Sequence, residues 1–165
     1  MTNPPQAQRT LLTPELERML EVWDSPVQSA PIEFSEIRRW AIAVYWPETP
    51  PRLFWDLEYA RQTAWGGPIA PREFNPFTWP PQRPPDAPNR KPKPGVGERM
   101  MHAGNIERYG AVMRVGDVIT ARSALVKLEE KTGRMGLTLY RYHESRWMNQ
   151  KGEFVKSKTL VSVQY

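Results

Sequence analysis

Apolar residues in the first stretch of the chain recur at helical spacing. The segment "TPELERMLEVWD" places four of them on one helical face, namely Leu16, Met19, Leu20 and Trp23. Thr13 stands before this run as an N-cap, and proline occupies the first helical position. The pattern therefore predicts a helix over residues 14–23.

Two further helices are predicted before residue 66. "PIEFSEIRRWAIAVYW" begins with an extended piece at residues 32–34, and Ser35 caps a helix behind it. That helix directs Ile37, Trp40, Ala41 and Val44 inward. A third helix covers about residues 55–65 and ends at the glycine pair Gly66 and Gly67.

The second half of the chain changes to the spacing of strands. "DVITARSALVKLEE", "MGLTLYRYHESRWMN" and "EFVKSKTLVSVQY" alternate β-branched or aromatic residues with polar ones, and turn signals separate them. They predict a three-stranded antiparallel meander, with a fourth strand at "RMMHAGNIERYG". The charged run "KLEEKTGR" is interpreted as a hairpin loop. Helices followed by strands predict an α+β domain in which a helix packs across one curved sheet.

A proline-rich segment separates the two halves. The prolines at residues 80–97 exclude both a helix interior and a central strand, so a long surface loop is expected there. It is either an arm over a partner or a plain connection. The chain is thus divided into an N-terminal helical extension at residues 1–30 and a domain at residues 31–165.

Composition narrows the functional classes. The 165 residues include no cysteine, which excludes thiolate chemistry, and they lack an apolar leader or spanning segment, so a cytoplasmic protein is expected that neither spans nor binds a membrane. The net charge of +5 is dispersed among acidic residues, and no nucleic-acid-binding motif accompanies it, so nucleic acid is not an expected partner. A mildly basic surface suits anionic coenzyme A or the phosphopantetheine arm of an acyl carrier protein.

Three short motifs, in this order, resemble the N-terminal domain of MaoC-like dehydratases, which has a hot-dog fold. They are "GGPIAP" at residues 66–71, "RVGDVI" at residues 114–119 and "NQKGE" at residues 149–153. The resemblance covers residues 32–165. It implies two hot-dog units, paired by dimerisation or duplication, that bind an acyl thioester in a tunnel and add or remove water without cofactor or metal. Such enzymes serve fatty acid or steroid side-chain metabolism.

The resemblance also implies that the catalytic pair is missing. Catalytic members carry Asp-x-Asn-Pro-Leu-His-x-Asp-x-x-x-Ala, and "PRLFWDLEYA" fits its second half through Asp56 and Ala60. This alignment places Phe54 at the catalytic His and Thr49 at the catalytic Asp. Neither side chain can exchange a proton near neutral pH.

Other polar and aromatic candidates have ordinary structural interpretations. Asp56 is expected to cap a helix, and His143 to lie on a solvated strand face. His102 is expected to pack on a strand with a hydrogen bond. The aromatic residues around the missing pair are interpreted as core and interface, namely Tyr45, Trp46, Phe54 and Trp55.

Three functions remain open. The first is a non-catalytic hot-dog subunit that shapes the acyl pocket of a catalytic partner. The second is a self-sufficient hydratase, dehydratase or thioesterase in which Glu48 or His102 replaces the lost pair. The third is an acyl-binding scaffold without a reaction. The single repeat predicts at least a dimer, formed with a like or unlike hot-dog subunit whose sheet pairs edge to edge.

Candidate contacts to an acyl thioester follow from the resemblance. The segment "GGPIAPREF" is expected to enter the central helix beside the tunnel, with Gly67, Ile69 and Ala70 lining it and the helix N-terminus polarising the thioester. The phosphates of coenzyme A or of an acyl carrier protein would meet Arg72, Arg99 or the basic run at residues 90–93.

Overall fold

The strands predicted from the sequence are confirmed in the computed structural model, which describes residues 10–77 and 99–165. Within these residues one antiparallel sheet has the order β1-β3-β4-β5-β2. The short β1 was not predicted. The strands are β1 Val27–Gln28, β2 Met100–Tyr109, β3 Ile119–Gly133, β4 Gly136–Asn149 and β5 Phe154–Gln164.

The predicted charged loop at residues 127–134 is wrong. Strand β3 continues to Gly133, which pairs with Gly136 across a turn of two residues. The charged side chains are accommodated on the strand itself, because the carboxylate of Glu129 lies 3.3 and 3.4 Å from the ammonium groups of two neighbouring lysines. The charged residues were mistaken for a loop because of their composition, whereas they alternate along a half-exposed strand.

The first helix, α1, is shorter than predicted. It spans Pro14–Arg18, and its Thr13 cap is confirmed, since the hydroxyl accepts a hydrogen bond from the amide of Leu16. The chain then leaves the helix because its backbone pairs with β3. The amide of Glu21, a residue with φ of 58°, donates to the carbonyl of Leu125 at 2.8 Å.

The second helix, α2, spans Phe34–Tyr45, as expected in type and place. Its cap is Glu33 and not Ser35, since the carboxylate of Glu36 accepts the Glu33 amide at 3.0 Å and Ser35 lies inside the first turn. Ile37 and Ala41 are fully buried as predicted, whereas Val44 is 53% exposed near the end of the helix.

The third helix, α3, spans Leu57–Gln62 and follows a 3₁₀ turn at Arg52–Phe54. It ends before the predicted glycine pair because the Thr63 hydroxyl donates a hydrogen bond of 2.7 Å to the carbonyl of Ala60 and closes the last turn. From residue 63 to 77 the chain forms turns and no helix.

The segment "GGPIAPREF" therefore does not enter a helix within the described residues, contrary to expectation. Ile69 forms a bridge with Arg114, and the Ala70 amide donates to the carbonyl of Met113 at 2.8 Å. Pro68 and Pro71 disfavour a helical conformation of the residues before them. The helix N-terminus expected to polarise a thioester is thus not formed by this segment.

A hydrophobic core joins this segment and α2 to the end of the sheet. Trp40 and Phe74 meet edge to face at 5.7 Å between ring centroids. Four partly buried aromatic residues close the cluster, namely Trp40, Phe54, Phe77 and Trp147. Its buried members are Ile32, Ile37, Ala70, Phe74, Met113, Ile119 and Val155.

The N-terminal segment covers the first half of the outer edge of β3. The Asp24 amide donates to Ser123 O at 2.9 Å while its carboxylate accepts the Ser123 amide at 2.7 Å. Strand β1 pairs with residues 120–121 of the same edge. Edge groups of β3 that would otherwise attract another strand are thereby satisfied.

A single carboxylate anchors the start of this segment. Glu130 on β3 accepts hydrogen bonds from the amides of Leu11 and Leu12 and from the hydroxyl of Thr10. The extension is therefore attached to the sheet, although its predicted boundary at residue 30 stays a prediction. The predicted proline-rich loop at residues 80–97 lies outside the described residues. No helix in the described part of the chain is long and apolar enough to cross a membrane.

Candidate functional site

The position that the resemblance assigns to a catalytic histidine is part of the hydrophobic core. Phe54 packs against the core cluster and lies 6.2 Å from Tyr45 between ring centroids. A benzyl side chain in this place contributes apolar packing and has no proton to exchange. The residue that the alignment places at the catalytic histidine thus has a definite structural role.

The neighbouring carboxylate, Asp56, is occupied by two structural tasks. One oxygen caps α3 by accepting the amide of Tyr59 at 3.0 Å, and the other accepts from the Arg52 guanidinium at 2.7 and 3.0 Å. The Tyr59 amide and then Arg52 hold the pKa of Asp56 below its ordinary value. An anion stabilised in this way is a poor general base, so the cap predicted from the sequence is its role.

The two residues considered as replacement acid–base groups lie on separate elements. Glu48 is exposed on the loop behind α2, where its amide donates to Tyr45 O at 2.7 Å. His102 is exposed near the start of β2 and pairs in register with Ser162. Within residues 10–77 and 99–165 no hydrogen bond or ion pair joins either of them to the other.

Two of the predicted binding residues, Ala70 and Arg72, line a cleft of about 410 Å³. Its other walls are the end of β2, the loop behind it and the start of β5. Trp65 also lines this cleft, and the Trp65 carbonyl accepts a hydrogen bond of 2.7 Å from the Arg114 guanidinium. The "GGPIAP" segment thus forms one side of a cavity, although it does so as turns and not as a helix.

Two residues that line the cleft, Tyr109 and Lys156, belong to a charged cluster. The Tyr109 hydroxyl donates to the Glu107 carboxylate, whose other neighbours are the ammonium groups of Lys156 at 3.6 Å and Lys158 at 3.7 Å. Tyr109 and Lys156 are cross-strand partners at the junction of β2 and β5. Sheet pairing therefore brings together a phenol, a carboxylate and two cations that lie far apart in sequence.

The ionisation of this cluster follows from its hydrogen bond. Donation to Glu107, together with burial, raises the pKa of Tyr109 to about 12. The same hydrogen bond, aided by the nearby lysines, lowers the pKa of Glu107. At neutral pH the pair is a neutral phenol and a carboxylate, which excludes Tyr109 as a general base under these conditions.

The predicted cation Arg99 lies away from this cleft. It precedes Met100 at one end of β2, whereas Tyr109 and the cleft are at the other. Ten strand residues separate the two ends by roughly 30 Å at the usual rise. Arg99 therefore does not share one site with Arg72, and the basic run at residues 90–93 lies outside the described residues.

Sequence reasoning did not identify Tyr109, Glu107 or Lys156. Each is an ordinary surface-type residue in an alternating strand, and their meeting depends on the register of β2 against β5. Among the described residues no group of three or more histidine, aspartate or glutamate side chains could hold a metal ion.

The family of the chain follows from its match to the model described as "FAS1-like, dehydratase domain region", which covers residues 22–158. The chain belongs to this family of MaoC-like dehydratase domains. A sequence comparison with curated proteins finds no significant match.

Solved structures establish the fold. A MaoC-like dehydratase from Rhodospirillum rubrum has a TM-score of 0.54 at 18% identity, over 86% of this chain and 90% of that one. The ChsH1-ChsH2 complex from Mycobacterium tuberculosis has a TM-score of 0.66 at 14% identity, over 91% of this chain and 88% of that one.

The 3R-hydroxyacyl-ACP dehydratase complex HadBC, also from Mycobacterium tuberculosis, has a TM-score of 0.56 at 16% identity, over 86% of this chain and 93% of that one. At such identities the likeness concerns the fold alone. The α+β hot-dog fold expected from the sequence is thus confirmed, with a curved antiparallel sheet and few helices.

Proposed function

We propose that this chain is the non-catalytic subunit of a heteromeric MaoC-like hydratase or dehydratase, in which it shapes the pocket for an acyl thioester. The observation that carries the proposal is Phe54. Its ring belongs to the hydrophobic core at the position where a catalytic member would present histidine, and Asp56 beside it is engaged as a helix cap. The scaffold of the family is kept while its proton-transfer groups are absent from this loop.

Strand β2 supports the need for a second subunit. It is a ten-residue edge strand on which Met100, Met101 and Ile106 are exposed. Residues 20–29 cover the opposite edge of the sheet from Ile119 to Leu125, so β2 is the longer edge that remains for pairing among the described strands. Two relatives in fold are described as complexes, ChsH1-ChsH2 and HadBC, which favours a second hot-dog chain as the partner.

Exposed aromatic and aliphatic side chains around α2 and α3 support the same conclusion. Trp46 is 78% exposed in the loop behind α2, although the sequence placed it in a core or an interface. Exposed apolar surface of this kind marks interaction sites on soluble proteins. A partner subunit that contacts this loop would bring its own acid and base to the place where Phe54 has replaced one of them.

The substrate class is an acyl thioester of coenzyme A or of an acyl carrier protein, as in fatty acid or steroid side-chain metabolism. Ala70 and Met113 supply apolar surface at the cleft, and Ile69 is buried beside them. These contacts suit an acyl chain and would serve binding without serving catalysis.

Reconstitution tests the proposal. The chain is mixed with a hot-dog chain that carries an intact Asp-x-Asn-Pro-x-His motif, and hydration of a trans-2-enoyl-coenzyme A is followed by its ultraviolet absorbance. We expect the chain alone to be at least about a hundredfold slower than the mixture, because a positioned acid–base group typically contributes 10²–10⁴-fold. Glu48→Gln and His102→Ala should leave the mixture active, whereas changing the partner's motif histidine should abolish turnover.

Two results would contradict it in different ways. Robust turnover by this chain alone that is lost in Glu48→Gln or His102→Ala would establish a self-sufficient enzyme. A partner that is equally active with and without this chain would leave only the scaffold function.

Light scattering tests the interface. We expect at least a dimer at micromolar concentration, and Ile106→Lys on β2 should weaken it because a charge must be buried in the interface. Met135→Lys is the matched control, since Met135 is equally exposed at the β3–β4 turn, away from β2. A monodisperse monomer, or equal effects of both changes, would oppose pairing through β2.

A further inference from the structure

A small cavity lies between the N-terminal segment and the face of the sheet that is turned away from the core. Ile119 and Trp147 belong to the core, so strand alternation directs their neighbours Thr120 and Met148 to the opposite face. The cavity has a volume of about 290 Å³ and shares no lining residue with the cleft described above. Its walls are Trp23, Thr120, Arg122, Arg146 and Met148.

Two arginines in its wall stand directly opposite each other. Arg122 on β3 is the register partner of Arg146 on β4. Like charges in this position destabilise a sheet, and a nearby anion offsets the repulsion. Arg146 has such an anion, because one oxygen of Glu144 lies 2.9 and 3.0 Å from two of its nitrogens. Within residues 10–77 and 99–165 Arg122 forms no ion pair, so its charge has no such partner.

The guanidinium of Arg122 is fixed at one nitrogen and exposed at the others. Its Nε donates to the carbonyl of Asp24 at 3.0 Å, which orients the group beside the N-terminal segment. The carboxylate of Asp24 accepts the Ser123 amide at 2.7 Å instead. Among the described residues the two terminal nitrogens of Arg122 have no hydrogen-bond partner. Together they present a planar fork that matches the two oxygens of a carboxylate.

An indole ring forms the wall on the side of the N-terminal segment. Trp23 is half-buried, and the guanidinium of Arg146 lies 4.7 Å from the centroid of the Trp23 ring. Thr120 and Met148 are register partners in the row beside the two arginines. A thioether and an indole both make favourable contacts with a flat aromatic ring. The cavity therefore combines walls that suit such a ring with a cation beside them.

We propose that this cavity binds a small aromatic carboxylate. The ring lies against Trp23 and Met148, and the two carboxylate oxygens accept hydrogen bonds from the terminal nitrogens of Arg122. Arg146 is a positioning residue, because it stacks on Trp23 while Glu144 neutralises its charge. A volume of about 290 Å³ is at the lower end of the range for ligand pockets, which limits the ligand to one or two rings. The site goes beyond the proposed function, since it involves neither the acyl pocket nor the missing catalytic pair.

Calorimetry on the full-length chain tests the site with three probes of equal size. They are phenylacetate, phenylacetamide, which keeps the ring and loses the charge, and cyclohexylacetate, which keeps the charge and loses the flat ring. We expect phenylacetate to bind about tenfold or more tightly than the amide, because hydrogen bonds between charged groups are the strong ones. It should bind roughly fivefold more tightly than cyclohexylacetate, because only a flat ring makes aromatic contacts with Trp23.

Variants separate direct contacts from structural effects. Arg122→Gln should abolish the preference for phenylacetate over its amide and leave amide binding unchanged, whereas mere release of the N-terminal segment would weaken both ligands alike. Trp23→Leu should abolish the preference for phenylacetate over cyclohexylacetate, and its melting temperature is measured first because the ring is half-buried. Arg108→Gln is the matched control. Arg108 is exposed and shares the register partner Ser157 with Arg146, so it lies on the same face but on the edge strand β2.

Limited proteolysis provides an independent readout. A ligand between Trp23 and β3 would hold the N-terminal segment on the sheet, so saturating phenylacetate should slow tryptic cleavage after Arg18 severalfold. An unchanged rate would contradict this arrangement.

Four calorimetric results would overturn the site. They are no detectable heat with phenylacetate, equal affinity for phenylacetate and its amide, parallel loss of both in Arg122→Gln, and a loss in Arg108→Gln as large as in Arg122→Gln. None of these measurements involves hydratase activity or a partner chain, so the site and the proposed function can fail separately.

Discussion

Gly110 at the end of β2 offers a severe test of the packing, because the change to alanine adds one methyl group. That Cβ would lie 2.3 Å from the carbonyl oxygen of Phe154 and 2.6 Å from Cδ1 of its ring. Neither atom belongs to a flexible side-chain end, so β5 must move. The Gly110 and Ala111 amides donate to the carbonyls of Val155 and Phe154 at 2.9 and 2.8 Å, and both hydrogen bonds would be strained.

The expected cost of Gly110→Ala follows from two contributions. Overpacking costs about 1–3 kcal/mol, and a weakened hydrogen bond costs about 1 kcal/mol, so unfolding free energy should fall by roughly 2–4 kcal/mol. For a chain of this size that corresponds to a drop in melting temperature of about 5–15 °C. Because Val155 belongs to the core, a displacement of β5 should disturb core packing as well.

Thermal unfolding followed by circular dichroism measures this change, at one fixed protein concentration because association shifts the transition. Gly67→Ala is the matched control, since nothing lies within 4 Å of its added Cβ and its φ is not in the left-handed region. Its melting temperature should be unchanged or slightly higher. A Gly110→Ala variant within about 1 °C of the wild type, or a Gly67→Ala variant equally destabilised, would refute the reasoning.

Three further predictions concern ionisation and the N-terminal segment. Because the folded-state pKa of Tyr109 is about 12 against about 10 for an unfolded tyrosine, its hydrogen bond should stabilise the fold below pH 10, with that contribution lost between pH 10 and 12. Melting temperatures measured across this range should therefore decline less in Tyr109→Phe than in the wild type, and equal slopes would oppose the assignment. The lowered pKa of Asp56 should stabilise the fold above about pH 4, and this stabilisation should be lost as the pH falls through the lowered pKa. Asp56→Asn keeps a capping oxygen but has no carboxylate to titrate. Its melting temperature should therefore depend less on pH on the acid side than that of the wild type. Glu130→Ala should release the N-terminal segment and make tryptic cleavage after Arg18 severalfold faster by mass spectrometry, whereas an unchanged rate would show that the segment is held elsewhere.

The strands could be predicted because their alternation of apolar and polar residues is a local property. The helix boundaries could not, since they depend on distant groups. Helix α1 ends shortly before Glu21 pairs with Leu125, and the segment after α3 forms turns and no helix because Ala70 is bound to Met113. In each case tertiary hydrogen bonds overrode local propensity.

The candidate site was only partly accessible from the sequence. Loss of the acid–base pair was inferred from one aligned motif and stays a prediction, whereas the structure shows that Phe54, aligned with the histidine, packs against the core. The Tyr109–Lys156 pair was not predictable, because those residues meet only through the register of two strands. The sequence did contain one signal, a tyrosine followed by glycine at the end of a predicted strand, namely Tyr109 and Gly110. The structure shows that a larger residue than glycine would collide with Phe154 there.

The covered part of the β3 edge limits how chains of this protein can associate through their sheets. A sheet with two open edges can add strands on both sides, and association of such chains has no natural end. Here residues 20–29 occupy the β3 edge from Ile119 to Leu125, so over these residues no strand can be added beside β3. Two chains joined through β2 would each keep this part of the outer margin closed, which opposes extension of the assembly into a fibre along these residues.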